Sequence, residues 1–185
     1  GKNSIIKIGS KIYPNTSIGP HCKVGGEVED TIIQAYSNKQ HDGFLGNSYI
    51  GEWVNIGAGT SNSDLKNNYN NVKMWDFTQQ KKRETGLVFL GALIGDHCKL
   101  GINSTINTGT TICYGSSIYG KKLICGQTPP FSWVEDNKIS LYDLEKLLDT
   151  IEKVKQRRGE KLSDIERNVM HKLYKEITKM EKKDD

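Results

Sequence analysis

The sequence predicts a mainly β fold: a left-handed parallel β-helix of hexapeptide repeats, with a long inserted loop and a C-terminal helical extension. Three observations predict it. A large apolar residue recurs every sixth position, at Ile6, Ile12, Ile18 and Val24, then at Phe44, Ile50 and Ile56, and again at Ile94, Leu100, Ile106, Ile112 and Ile118. Glycine follows many of these residues, at Gly19, Gly25, Gly51, Gly57, Gly95 and Gly101. A small residue stands four places after most of them, as in Thr16, Cys22, Ser48, Val54, Thr60, Cys98, Ser104, Thr110 and Ser116. A period of six fits neither an α-helix nor a hairpin sheet, but it fits short strands stacked coil upon coil. One large side chain per strand fills the axis and the small residue fits the narrow interior beside it.

The elements follow in order. Residues 4–28 form the first coils. The register slips between Val24 and Ile32, which predicts a small bulge or loop. Coils resume through Thr60, and residues 61–87 break the pattern. This Asn- and Lys-rich stretch reads as a long loop extruded from a corner, a frequent place for function. Coils return at Val88 and run to about Tyr119, giving a β-helix domain over 1–120. Residues 121–139, with Pro129, Pro130, Phe131 and Trp133, are expected to cap the open end of the solenoid, which would otherwise expose core and strand edges. Residues 140–182 are expected to form two helices. The first starts at Ser140, carries Leu144, Leu147, Leu148, Ile151 and Val154, and stops at Gly159. The second starts at the capping box Ser163–Glu166 and carries Ile165, Val169, Leu173, Ile177 and Met180. The tail 181–185 is expected to fray.

Composition excludes several function classes. Across 185 residues, 26 Lys and Arg face 22 Asp and Glu, a net charge of +4, and the two signs are interleaved. That pattern describes a solvated surface and argues against a nucleic-acid site, which needs a patch of one sign. No apolar run is long enough to span a bilayer. Cys22, Cys98, Cys113 and Cys125 lack zinc-site spacing, so no metal is expected, and Cys22 and Cys98 read as core thiols. Such cysteines without a signal peptide favour a reducing, cytoplasmic setting.

Residues 36–60, YSNKQHDGFLGNSYIGEWVNIGAGT, resemble the acetyltransferase domain of GlmU, the bifunctional enzyme of UDP-N-acetylglucosamine synthesis. The shared elements are His41, the aromatic-Leu-Gly of Phe44–Gly46, and Ile50 to Thr60. Asn68-Tyr69 and Lys73 match the family's following Asn-Tyr and lysine. The likeness runs as a scaffold over most of residues 5–119, and its specific part spans about 36–73. TGLVFLG, FSW at 131–133 and the helical tail look closer to a Bacteroidetes-type, GlmU-like subfamily. The resemblance implies a homotrimer with active sites between subunits, and acetyl-CoA as co-substrate. It also implies an amino-sugar 1-phosphate (glucosamine or galactosamine) as acceptor, and an N-terminal nucleotidyltransferase domain outside this chain. Hexapeptide β-helices are mostly CoA-dependent acyltransferases, an association of fold with function.

By this resemblance His41 is the general base, while Lys39, Phe44, Asn55, Tyr69 and Lys73 contact substrate. The chemistry suits the residue types. An ammonium must lose a proton before its nitrogen can attack a thioester, and histidine titrates near neutrality. The alternative for His41 is a surface histidine on a coil corner. For Lys39 and Lys73 it is a solvated lysine, and for Asn55 a structural corner residue. No CoA-binding residue is identified. Three departures stand out: the family's phosphate-binding arginine falls at Tyr13, a second phosphate-binding lysine falls near Thr31, and the catalytic-site tyrosine is Phe44. Lys39, Lys73, Lys81, Lys82 and Arg83 are the candidate substitutes. The competing functions are a non-catalytic trimerisation module of a sugar nucleotidyltransferase, and an acyltransferase for another amino sugar.

Overall fold

A computed structural model describes residues 1–136 and 138–181. They form two compact units, Gly1–Ser140 and Leu141–Asp185. The first is a parallel β-solenoid. Coil 1 holds β1 (Ile5–Ile6), β2 (Lys11–Ile12) and β3 (Ser17–Ile18); coil 2 holds β4 (Lys23–Val24), β5 (Glu27–Glu29) and β6 (Ile32–Ile33). Coil 3 holds β7 (Asn38–Lys39), β8 (Phe44–Gly46) and β9 (Tyr49–Ile50). Coil 4 begins with β10 (Asn55–Ile56) and β11 (Ser61–Asn62). A hairpin then leaves it, β12 (Lys73–Asp76) and β13 (Lys81–Glu84), and β14 (Ala92–Ile94) closes the turn. Coil 5 holds β15 (Lys99–Leu100), β16 (Thr105–Ile106) and β17 (Thr110–Ile112); coil 6 holds β18 (Ser117–Tyr119), β19 (Leu123–Ile124) and β20 (Gln127–Thr128). Then come β21 (Ser132–Glu135) and β22 (Lys138–Leu141).

Three faces result. The first runs β1-β4-β7-β10-β15-β18-β21-β22, the second β2-β5-β8 followed by β11-β16-β19, and the third β3-β6-β9-β14-β17-β20. The second face breaks between β8 and β11, where side chains replace ladder bonds. Ser61 Oγ accepts from Phe44 N–H at 3.1 Å, and Asn62 Oδ1 accepts from Gly46 N–H at 2.8 Å.

Inward side chains form one continuous core through Val24, Val28, Ile33, Leu45, Ile50, Ile56, Ile94, Leu100, Ile106, Ile112 and Ile118. Two sequence assignments change. Leu45 points inward opposite Val28, and Phe44 points outward opposite Glu27. Two apolar neighbours leave a period-six register ambiguous by one, and packing chooses the branched aliphatic. The slip after Val24 is a shortening of coil 2, so that Val28 and Ile33 become the inward residues and Ile32 turns to solvent. The small interior residues do more than fit. Ser37 Oγ donates to Gly51 O at 2.6 Å and accepts from Val54 N–H at 2.9 Å, which ties neighbouring coils. Ser48 Oγ does the same with Gly46 O and Ala92 N–H.

Residues 121–139 continue the ladder. β19, β20 and β21 pair in parallel with β16, β17 and β18, so this stretch supplies a further coil before β22 takes the edge of the first face. At the corner between third and first faces, His21, Tyr36, Trp53, His97, Tyr114 and Phe131 follow one another from coil to coil with successive centroids 4.1–6.4 Å apart, stacked from His21 to His97 and edge-on from His97 to Phe131.

The second unit holds α1 (Leu144–Gln156) and α2 (Asp164–Glu181). The first helix starts later than Ser140, because Asp143 is its N-cap and accepts from Lys146 N–H at 2.9 Å. Leu144, Leu147, Leu148 and Ile151 are buried. The second helix opens with the capping box: Ser163 N–H donates to Glu166 Oε2 at 2.8 Å, and Glu166 N–H to Ser163 Oγ at 3.2 Å. Its expected apolar stripe faces outward, with Ile165 76%, Val169 48% and Leu173 46% exposed. The buried apolar residue is Met170, and the helices are linked by Lys155–Glu166 and Arg167–Glu152 ion pairs. The side chain of Met180 and the tail 182–185 lie outside the described residues.

Candidate functional site

His41 sits on the corner between first and second faces, just after β7, and is exposed. This corner stacks tightly between two others. Gly59 N–H donates to Asp42 O at 3.0 Å, and a Cβ on Gly43 (φ +120°) would lie 2.0 Å from Thr60 O. Glycine is therefore required at position 43 on both counts.

Lys39 does not reach toward a ligand. It occupies the inward column of the first face, above Val24, and is 3% exposed. Its ammonium donates to Gly25 O at 3.1 Å and His41 O at 2.7 Å. Burial lowers its pKa from 10.5 to about 8, with the Asp42 carboxylate partly opposing that shift. The lysine thus clamps the backbone of His41 to the coil below. The register that took Phe44 as inward hid this, because Lys39 joins the inward column only when Leu45, six residues on, takes the inward place.

Beside the His41 corner a groove runs over the second face, lined by Lys11, Glu27, Asp42 and Phe44 and floored by glycines 9, 26 and 43. Lys11 and Glu27 form a 3.7 Å ion pair across β2 and β5. Phe44 thus joins His41's neighbourhood. Asn55 lies on the outer first face, paired with Asn38 and Lys99. Tyr69 (φ +58°) and Lys73 belong to the insertion, which leaves the solenoid at the opposite end of the second face. Lys73 pairs there with Glu84 at 3.1 Å. Within one chain, then, His41, Phe44 and the groove come together, and Tyr69 and Lys73 sit on a separate element.

The departures from the family pattern have structural counterparts. Thr31 is fully buried and its Oγ1 donates to Glu29 O at 2.7 Å, so it has no role at a surface. Tyr13 remains on the surface of the second face. Lys99, which the sequence did not single out, donates to Trp53 O at 2.7 Å and His97 O at 3.2 Å, and burial lowers its pKa to about 8. Burial likewise pushes the Cys98 thiol up to about 12, so it is a core thiol. Among the described residues no group of three or more His, Cys, Asp or Glu could hold a metal, and no helix is long and apolar enough to cross a membrane.

No family model matches the chain. It is 36% identical over 112 residues to a bifunctional sugar-1-phosphate nucleotidylyltransferase/acetyltransferase of Sulfurisphaera tokodaii, covering 60% of this chain and 27% of that protein. It is 29% identical over 126 residues to the bifunctional protein GlmU of Gloeobacter violaceus, covering 64% of this chain and 24% of that protein. Among solved structures, AntD, an N-acyltransferase from Bacillus cereus, aligns with 84% of this chain and 92% of its own at 15% identity and a TM-score of 0.43. The chain is thus similar to these bifunctional proteins over about 60% of its own length, and it spans about a quarter of theirs.

Proposed function

We propose that this chain transfers an acetyl group from acetyl-CoA to the amino group of an amino-sugar 1-phosphate, with His41 as general base. The observation that carries this is the His41 corner. An exposed imidazole stands beside a groove of mixed charge, on a backbone fixed by a buried lysine. A base contributes to catalysis only where it is held in place, and Lys39 holds this one. The acetyltransferase named in the relatives' descriptions supports the class of reaction. In the step itself, imidazole takes a proton from the amine as nitrogen attacks the thioester carbon. The C–S bond then breaks, the thiolate leaves with a proton, and an amide remains.

The site is completed between copies of the chain in a homotrimer, where Tyr69 and Lys73 of one subunit approach the groove of another and Asn55 lines it. Outward Ile32, Tyr49 and Leu93 align in register along the third face, an apolar column suited to such an interface. The acetyltransferase unit works alongside a nucleotidyltransferase domain, as the bifunctional names of the relatives suggest. A second reading, a trimerisation module without catalysis, is favoured by Tyr13, Thr31 and Phe44, where cations and a hydroxyl are lost.

Thiol release from acetyl-CoA with a panel of amino sugars and their 1-phosphates tests the proposal. His41→Ala should lower turnover by ~10²–10⁴-fold, with the trimer intact by light scattering. Full turnover in that variant would show that His41 is only a surface residue, and a wild type that acetylates nothing leaves the trimerisation reading.

A further inference from the structure

The hairpin of the insertion rests on the solenoid along one seam, with an unpaired polar group on each side of it, Trp75 on β12 and Thr111 on β17. β12 packs against β17 so closely that a Cβ on Gly109 would lie 2.3 Å from Lys73 O. Trp75 and Lys82 stand directly opposite each other across the hairpin and share one of its faces. The Lys82 ammonium lies 3.7 Å from where a Cβ of Gly126 would be. Gly126 O in turn accepts from Thr111 N–H at 2.8 Å. Thr111 therefore belongs to the same neighbourhood. Its side chain points outward from β17 yet is only 6% exposed.

Two of these groups are buried donors with nothing to bond. Neither Trp75 Nε1 nor Thr111 Oγ1 has a hydrogen-bond partner among the described residues. Such groups are scarce in native proteins, because each gives up its solvation without return. The cations of the insertion divide in the same way. Lys66 donates to Asn71 O, Lys73 pairs with Glu84, and Arg83 pairs with Asp76. Lys81 and Lys82 make no ion pair among the described residues, and of the two it is Lys82 that shares the hairpin face of Trp75. A ligand suited to an indole N–H, a hydroxyl and an ammonium is acceptor-only, anionic and able to address several directions at once. A phosphate group meets all three conditions.

We propose that this seam is a phosphate-binding subsite built from Trp75 Nε1, Thr111 Oγ1 and Lys82 Nζ. Which phosphate it takes rests on the acyl-transfer reading, since CoA and an amino-sugar 1-phosphate both carry one. The subsite itself stands on the seam alone. It also assigns a cation role to Lys82 rather than to Lys73, whose exposed ammonium pairs with Glu84 across the hairpin.

Isothermal titration with CoA, 3′-dephospho-CoA, glucosamine 1-phosphate and inorganic phosphate tests it, on wild type and on T111V, W75F and K82M. Thr111→Val keeps the shape and removes only the hydroxyl, and its melting temperature shows whether the seam is still folded. The expected result is about tenfold weaker binding of at least one phosphate ligand in both T111V and K82M. Loss for CoA but not dephospho-CoA assigns the 3′-phosphate, equal loss for both assigns the diphosphate, and loss for glucosamine 1-phosphate alone assigns the acceptor. Unchanged affinity for all four ligands in all three variants overturns the subsite, as does a wild type that binds none of them. If the variants lose phosphate but wild type acetylates no amino sugar, the subsite stands and the acyl-transfer reading fails.

Discussion

Replacing Lys39 with methionine isolates the cost of keeping a charge inside the solenoid. In the unfolded chain the amine stays protonated up to its ordinary pKa of 10.5, while in the fold it does so only up to about 8. Between those values the unfolded state holds more protons, so stability rises with pH. The separation corresponds to about 3 kcal/mol. A methionine side chain fills nearly the same volume and cannot titrate. Lys39→Met should therefore be favoured over wild type by about 3 kcal/mol more at pH 7 than at pH 10.5. Lys99 and Cys98 also titrate abnormally, but both remain in the variant and their contributions cancel in the difference. Urea unfolding followed by far-UV circular dichroism, at half-unit steps from pH 7 to 10.5, gives that difference directly. A flat difference across the range would refute the buried-charge account. Loss of activity in the stabilised variant would separate Lys39's service to His41 from its effect on the fold.

Other outcomes follow from particular contacts. Gly43→Ala places a methyl 2.0 Å from Thr60 O at φ +120° and should cost roughly 2–4 kcal/mol by thermal unfolding. Ile94→Ala empties a core position that is 1% exposed and should cost about 2–5 kcal/mol in the same assay. Although burial alone would raise the Glu166 carboxyl, hydrogen bonds from Lys155 and Ser163 hold it below the ordinary carboxylate range. Its contribution is complete above that ordinary range and is lost as pH falls through the depressed value. Glu166→Gln should thus lower the melting temperature at pH 7, and the gap to wild type should close in acid; a gap independent of pH would assign the loss to geometry instead.

The coil, its interruption and the second helix cap were legible because each rests on local spacing: one apolar residue in six, a polar stretch where none recurs, and Ser163 three residues before Glu166. Misreadings arose where a choice depended on what lay across the axis. Phe44 and Leu45 are both apolar, and only Val28 on the coil below selects Leu45. On α2 the four-residue spacing of Ile165, Val169 and Leu173 marks a face, but does not tell that the ion pairs with α1 leave that face outside. At the candidate site, His41 and Phe44 were singled out by their motif. The inward course of Lys39 could not be read, because a lysine in a core column is stable only through two carbonyls supplied by different coils. Thr111 and Trp75 are far apart in sequence, so the seam had no local signature at all.

Coil 4 is one turn in space but two stretches in sequence, and that division has a consequence for folding. Neighbouring coils on one side join over short distances, as when Ser37 Oγ meets Val54 N–H across 17 positions. The joint between coils 4 and 5 spans 44, where Asn55 on β10 pairs with Lys99 on β15. The insertion's neck is closed by Leu90 N–H to Asp64 O at 2.8 Å, and closure entropy grows only slowly with the length beyond it. The solenoid therefore has two locally wound blocks and one long-range joint, and amide exchange at that joint should report opening before either block unwinds. A protease cut in the hairpin turn would sever the chain there without parting the blocks, since coils 4 and 5 are held by their ladders and not by the peptide that connects them.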